Sequence, residues 1–449
     1  MVCIRTGFRV LLGVSVVALA CAFGTARPAL AQEPDEDVME AAKAENQAVA
    51  TPLSQITLDD DTPPLRRKRE PPVDLYEAPG IRAGGVILFP TLELGTLASS
   101  NVARTGSGAQ ADAALLLKPG LRLESEWSRH QWTASASGEM LHYLENEEHS
   151  STAAALSSTL RLDVRHTTRA TLESGYALTS TGPSDRNVSN SAIENLVSHD
   201  LSFAAGVEHD VGAGTFRLRG GVERGIYEDV KLSGGLIEDN DDRNYTQLSL
   251  GLRGTFNPGA VVRPFVEAVY EPRVHDRRID RNGLRRDSHG FSAVAGLVFA
   301  DDTVWSGEIG ASVVVRDYED GAFKTKAAPG LLANLQWRAT ELTTLDLTAE
   351  VSLAETTSAN DGATTSWTAG VALAHALRDN LDVFGGVTGA LSSQSSGQDL
   401  TLGTRTGLEW KMNPLFSWSA AYEGTYVFAD TVGGDYDEHR LIASIILKR

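Results

Sequence analysis

Cysteine is almost missing from this chain: Cys3 and Cys21 are its two, and both lie within the first 31 residues. With that segment removed no thiol remains, which excludes disulfides and thiolate metal sites from the rest. Long apolar runs are missing as well. Beyond the N-terminus no stretch approaches the roughly 18 residues that a spanning helix needs. A chain like this enters a membrane only as a closed barrel, in which each strand's backbone groups are paired by its neighbours. Positive charge is scarce, with 40 Lys and Arg against 59 Asp and Glu and a formal net charge of −19. That balance argues against nucleic acid as a partner. Catalytic signatures are absent too: there is no Gly-x-Gly-x-x-Gly, no phosphate-binding loop, no His-Glu-x-x-His and no Gly-x-Ser-x-Gly. The expectation is a protein that is not an enzyme and takes no cofactor.

What the sequence does have is alternation. Along residues 414–428 the even positions Phe416, Trp418, Ala420, Tyr422, Gly424, Tyr426 and Phe428 are apolar or aromatic, while the odd ones include Ser417, Ser419, Glu423 and Thr425. Such a period of two is a strand with one apolar and one polar face. It is long for a soluble strand, which averages roughly 5 to 6 residues, and suits a tilted bilayer crossing of about 9 to 11. Aromatics near both ends fit anchoring at two membrane interfaces. The same pattern returns with Leu345 to Leu353 against Asp346 to Ser352, with Ile309, Ala311 and Val313 against Glu308 and Ser312, and with Leu248, Leu250 and Leu252 against Ser249 and Arg253.

From Gly85 onward eighteen candidate strands can be laid out, with sixteen as the alternative. Eight short turns fall near Ser128-Arg129, His166-Thr167, Gly212-Ala213-Gly214, Asn257-Pro258-Gly259, Asp301-Asp302, Ala339-Thr340, Arg378-Asp379-Asn380 and Met412-Asn413. Between them lie nine longer polar segments, at 96–111, 145–150, 181–196, 228–242, 273–285, 319–325, 355–361, 393–397 and 429–435. The fold class expected is all-β, a transmembrane up-and-down antiparallel β-barrel with short turns at one rim and long loops at the other. Sandwich strands would be shorter, with turn signals every 8 to 12 residues or so.

Residues 1–31 read as a secretory signal, with Arg5 and Arg9 before an apolar core at 10–23 and Ala29-Leu30-Ala31 as the cleavage site before Gln32. Residues 32–80 read as a periplasmic leader of no fixed structure. Asp59-Asp60-Asp61, Pro63-Pro64, Arg66-Arg67-Lys68-Arg69 and Pro71-Pro72 offer too little apolar surface to offset chain entropy. A short helix at 35–47 that meets a periplasmic partner is the sharper alternative. The barrel is expected over 81–449.

Residues 81–95, Ile-Arg-Ala-Gly-Gly-Val-Ile-Leu-Phe-Pro-Thr-Leu-Glu-Leu-Gly, are followed by Ser-Ser-Asn-Val at 99–102. Further on stand Arg263-Pro264-Phe265-Val266-Glu267 and Asp280-Arg281-Asn282-Gly283-Leu284-Arg285-Arg286-Asp287-Ser288. Together with Gly307-Glu308-Ile309-Gly310 and Thr340-Glu341-Leu342-Thr343-Thr344, these pieces resemble the putative β-barrel porin type 2 family over roughly 81–449. The resemblance implies a Gram-negative outer-membrane barrel, with membrane lipids, lipopolysaccharide and the barrel-assembly machinery as its partners. The chain departs from the family at Ser99-Ser100, where an acidic pair usually precedes Asn-Val.

Strand parity predicts a charged inner wall. The candidate pore-lining residues are Arg122, Arg161, Arg165, Arg219, Arg253, Arg263, Glu267, Glu308, Arg316, Glu350, Arg405 and Glu409. Cations and acids in such numbers allow opposite charges to pair across neighbouring strands, or to face one another as an eyelet that sorts solutes by charge. Arg273, Arg277, Arg278, Arg281, Arg285 and Arg286 crowd one loop. They are candidates for a constriction, or for a lipopolysaccharide grip through bidentate phosphate contacts. Asp239-Asn240-Asp241-Asp242 lacks the spacing of a cation loop and reads as a polar tip. His199-Asp200, His209-Asp210 and His275-Asp276 read as solvated rim residues. The function expected is passive diffusion of small hydrophilic solutes or ions. The alternatives are a barrel coupled to surface polysaccharide export or assembly, and a structural or adhesive barrel with a closed lumen.

Overall fold

The period-two segments do fold as strands, and they are long, from 12 to 17 residues in the barrel wall. The computed structural model describes residues 76–449 apart from 184–187, 190, 301–302, 357–361, 396 and 431–433. The expected signal, nearly all of the leader with its 35–47 helix, and the Asp301-Asp302 turn lie outside the described residues.

A short arm, β1 (Ile81–Ala83), folds back on the first long strand, β2 (Val86–Ser99). Then come β3 (Asp112–Ser125), β4 (Gln131–Tyr143), β5 (Ser151–Arg165), β6 (Thr168–Thr181), β7 (Leu196–Asp210) and β8 (Gly214–Tyr227). The loop after β8 contains a small hairpin of β9 (Val230–Lys231) and β10 (Ile237–Glu238). The wall resumes with β11 (Tyr245–Phe256), β12 (Val262–His275), β13 (Ser288–Phe299), β14 (Trp305–Tyr318), β15 (Lys326–Thr340) and β16 (Thr343–Glu355). It ends with β17 (Ala363–Arg378), β18 (Leu381–Gln394), β19 (Gly397–Asn413), β20 (Phe416–Ala429) and β21 (Tyr436–Lys448).

Each wall strand pairs antiparallel with the next, and β2 pairs with β21 from Thr91↔Lys448 to Ser99↔Arg440. That last pairing closes the sheet. Of its 19 strands β1 is only an arm of β2, so 18 make the wall. The turn signals hold with two shifts. One-residue slips at Arg338/Thr340 and Lys411/Asn413 move those turns to Glu341-Leu342 and Pro414-Leu415. The segment 393–397 is no long loop, because β18 pairs as far as Gln394↔Gly397. Ser393 and Gln394 are polar but extended, and polarity alone suggested a loop.

The two faces divide as the alternation predicts. On β11, Leu248, Leu250 and Leu252 are each more than half exposed, while Gln247, just before them on the other face, is buried and the intervening Ser249 and Gly251 are half-buried. Exposed aliphatics repeated in this way around a closed sheet are a lipid-facing band. Buried apolar residues form three small clusters near the long-loop rim, such as Leu97, Val102, Ala114, Leu116, Leu141 and Tyr143. Aromatics mark both edges of the band. Near the short turns Trp127 stacks on Trp132, Trp305 stacks on Trp337 at 5.3 Å, and Trp410 faces Trp418. Toward the long loops three cross-strand pairs recur, Tyr176 with His199, Tyr270 with His289 and Tyr422 with His439. Each is joined from the phenol to Nδ1 at 2.8 to 2.9 Å.

Candidate functional site

The inner wall from β6 to β14 concentrates the charge. One row crosses five consecutive strands through directly facing residues: Arg169, Glu208, Arg217, Arg253 and Glu267. Arg169 donates to Glu208 at 2.8 Å and to Asp210 at 3.2 Å. Arg253 donates to Glu267 at 3.0 Å and reaches Glu308, on β14, at 2.5 Å, while its guanidinium lies over the Phe265 ring at 4.0 Å. Higher on the same wall Arg219 reaches across β7 to Glu173. Higher still, Tyr245 donates to Glu223 at 2.6 Å, and Arg273 donates to Gln247 at 2.9 Å while stacking over Tyr245. Arg316 donates to Ser288, and an added Cβ at Gly290 would sit 3.1 Å from the Arg316 guanidinium, so the glycine gives that side chain its room. Arg263 is buried at the short-turn end.

The remaining pore-lining candidates fall elsewhere on the ring. Arg122 pairs with Glu124 and lies over Phe89, and Arg161 pairs with Asp163 at 3.4 Å. Arg405 pairs with Glu423 at 3.3 Å, Glu409 accepts Lys448 at 2.7 Å, and Glu350 is half-buried on the inner face of β16. Arg165 is a correction. A one-residue slip after Asp163 pairs it with Thr168, which shares the outer face with His209, so Arg165 is an exposed rim residue. Parity carried through a bulge places every later residue on the wrong face. The charges therefore interleave along the wall as neighbouring pairs and are not sorted into opposed walls of single sign.

The arginine-rich loop is held by its own neighbours. Asp280 accepts the amides of Asn282 and Leu284 on one oxygen and Arg286 Nε at 2.7 Å on the other, while Gly283 takes a φ of +82°. That is the physical content of the Asp-Arg-Asn-Gly-x-Arg-Arg pattern. Arg286 is buried, donating to the Thr356 carbonyl at 2.5 Å beside Phe323. Arg277 binds Asp239 at 2.6 Å and Asp241 at 2.9 Å, and Arg281 binds Asp242, Asn240 and Glu238. The acidic tip of the β8–β11 loop is thus neutralised by the arginines of the β12–β13 loop. Arg278 is exposed and Arg285 half-exposed. Among the described residues no group of three or more His, Cys, Asp or Glu is arranged to hold a metal ion.

Loop electrostatics agree with this clamp. Asp239 sits below the ordinary carboxylate range because the Asp241 amide and Arg277 hydrogen-bond to it. Burial would raise Asp242 and Asp280. Hydrogen bonds from Arg281 bring the first below its usual value, and those from Leu284 and Arg286 bring down the second. Arg224 lowers Asp276 in the same way.

Two groups escaped the sequence reading. Arg169 is the second residue of β6, directly after a short turn. The long-loop rim holds a buried carboxylate, Glu438, which accepts from Ser99 at 2.7 Å, Arg440 at 2.8 Å and Arg104 at 3.0 Å. Asn101 ties that corner to the Asp437 carbonyl. Ser99, Asn101 and Arg104 lie more than 330 residues from the partners they reach at 437–438, and no local pattern signals the contact. His199 and His275 are also more engaged than solvated rim residues: His199 bonds Tyr176 and Glu228, and His275 is buried.

The family model described as "Putative beta-barrel porin 2" matches residues 74–449. No functionally curated protein matches the sequence. Similar solved structures include the siderophore receptor PirA from Pseudomonas aeruginosa, at 10% identity over 81% of this chain and 80% of that one, TM-score 0.38. PirA from Acinetobacter baumannii is similar at 8% identity over 80% of each chain, TM-score 0.39. OccAB3 of Acinetobacter baumannii shows 8% identity over 82% of this chain and all of that one, TM-score 0.38. Likeness this low says nothing about what this chain carries.

Proposed function

The chain belongs to the putative β-barrel porin 2 family, and from that premise we propose that it is a channel for passive diffusion of small hydrophilic solutes or ions. Family membership implies a Gram-negative outer-membrane location. The observation that carries the reading is an 18-strand closed wall with a charged, hydrogen-bonded inner face. Barrels of about 16 to 18 strands leave an aqueous channel when nothing fills them. The described residues outside the wall are the β1 arm and the loops. Transport of this kind needs no covalent step: solutes move down their gradient through a wet lumen whose fixed charges set the barrier.

The test is single-channel recording of the refolded protein from Gln32 onward in a planar bilayer. Stable ohmic steps are the expected result. A folded, inserted barrel that passes no current would overturn the reading and favour a closed structural barrel.

A further inference from the structure

Two arginines face each other directly on neighbouring strands, Arg217 on β8 and Arg253 on β11. Like charges so placed repel. Arg253 is neutralised by Glu267 and Glu308. Arg217 is treated differently. Glu208, which faces it from β7, is bonded to Arg169. Glu267, Glu208 and Glu308 act on Arg217 through space, and among the described residues it makes no hydrogen bond and no ion pair. Two positions along the same inner face, Arg219 gives Nε and Nη2 to Glu173, while its buried Nη1 donates to nothing. The inner positions beside Arg219 are Gly206 on β7 and Gly251 on β11. A Cβ at either glycine would meet its neighbours at ordinary contact distance, the Leu218 carbonyl at 3.5 Å from Gly206 and the Val269 side chain at 3.5 Å from Gly251. The wall therefore presents one guanidinium without a hydrogen-bond or ion-pair partner, and two residues along it the buried, unpartnered Nη1 of a second.

We propose that Arg217, with the unpartnered Nη1 of Arg219 two residues along the same inner face, forms a luminal binding site for a small oxyanion, the carboxylate or phosphate group of a passing solute. This rests on the channel reading and names the solute class that the channel favours. Guanidinium forks match planar and tetrahedral oxyanions through paired N–H donors. The carboxylates nearby keep the site weak, which transport requires, because a solute held too well does not leave. The overall acidity of the chain does not decide this, since selectivity is set where the charges line the path.

The probes are inorganic phosphate and acetate, added to potassium chloride in the planar bilayer, with reversal potentials read under a salt gradient. The wild-type channel should show a chloride current reduced by phosphate. Arg217→Gln should lose that reduction and lower the chloride-to-potassium permeability ratio by about fivefold, the effect of one partly screened charge at close range. Arg217→Lys should keep the ratio and weaken the phosphate effect, since the charge stays and the fork goes. Acetate acting as strongly as phosphate would assign oxyanions of both kinds, acetate acting alone carboxylates, and phosphate acting alone phosphates. Unchanged current and reversal potential in Arg217→Gln would overturn the site while leaving the channel standing. If the wild type is silent, the channel reading fails, and heat unfolding of the detergent-refolded barrel with phosphate decides the site. An upward shift absent from Arg217→Gln supports it; no shift overturns it.

Discussion

The arc from β6 to β14 and the arc of β17 and β18 have the same outer face and different inner ones. Outside, both show aliphatic side chains at every second residue, such as Leu248 to Leu252 on one arc and Val371, Leu373 and Val387 on the other. Inside, the first arc carries the Arg169-to-Glu267 row and the network above it. The inner positions of the second are Ser366, Thr368, Gly370, Ala372, Ala374 and Ala376 on β17, then Asp382, Phe384, Gly386, Thr388, Ala390 and Ser392 on β18, where the one charge, Asp382, sits at the short-turn end and pairs with Lys411 at 2.9 Å. Lipid imposes one requirement on every strand, whereas the lumen imposes none strand by strand. The inner face is therefore where a barrel of fixed architecture becomes a particular channel.

The largest expected effect breaks the charged arc from within. Glu308→Gln removes one of two acids on Arg253, a pair whose side chains are 12% and 9% exposed. Uncompensated buried charge costs about 3 to 5 kcal/mol, at the lower end here because Glu267 stays. Thr388→Val on β18 should stay within roughly 0.5 kcal/mol. Denaturant midpoints followed by tryptophan fluorescence compare the two, and similar losses in both would mean that the arcs are energetically alike.

A smaller effect comes from copying the charged arc onto the plain one. Thr368 and Ala390 face each other, so Thr368→Glu with Ala390→Arg adds a neutral cross-strand pair worth about 0.2 to 1 kcal/mol. Unitary conductance should fall as the lumen narrows, with the reversal potential unmoved. A shifted reversal potential would show that the plain arc also sets selectivity.

The smallest effect concerns the loops above the charged arc. Asp239, Asp242, Asp276, Asp280 and Asp320 all lie below their ordinary values. A carboxylate lowered in the folded state contributes stability above its unfolded pKa, and that contribution is lost as pH falls through the lowered one. The clamp between 238–242 and 277–281 should therefore hold at pH about 4, where free carboxylates are half protonated, and release in stronger acid. Limited proteolysis across a pH series reads this, and cleavage in the loop already at pH about 5 would contradict it.

Much of the fold was legible because strand parity is local. The eighteen strands, the closed antiparallel class and the two aromatic edges follow from alternation and turn residues near one another in the chain. The candidate site was legible in part. Parity put Arg219, Arg253, Glu267 and Glu308 on one face, where the structure joins Arg253 to both Glu267 and Glu308, but it misplaced Arg165, because a bulge is invisible in a two-residue pattern. The arginine-rich loop looked like a free cationic surface, since its acids lie on another loop some forty residues earlier, as with Arg281 and Asp242.

By itself the sequence determined which residues alternate, how long the strands are, where the chain turns and that the lipid-facing band carries no excess of charge. The tertiary structure alone decided who faces whom. Register between neighbouring strands put Arg217 opposite Arg253 and Arg169 opposite Glu208. A strand's inner face is written in its own residues. Whether a charge on that face is satisfied depends on residues from strands one to three places away, and their alignment is fixed only when the strands pair.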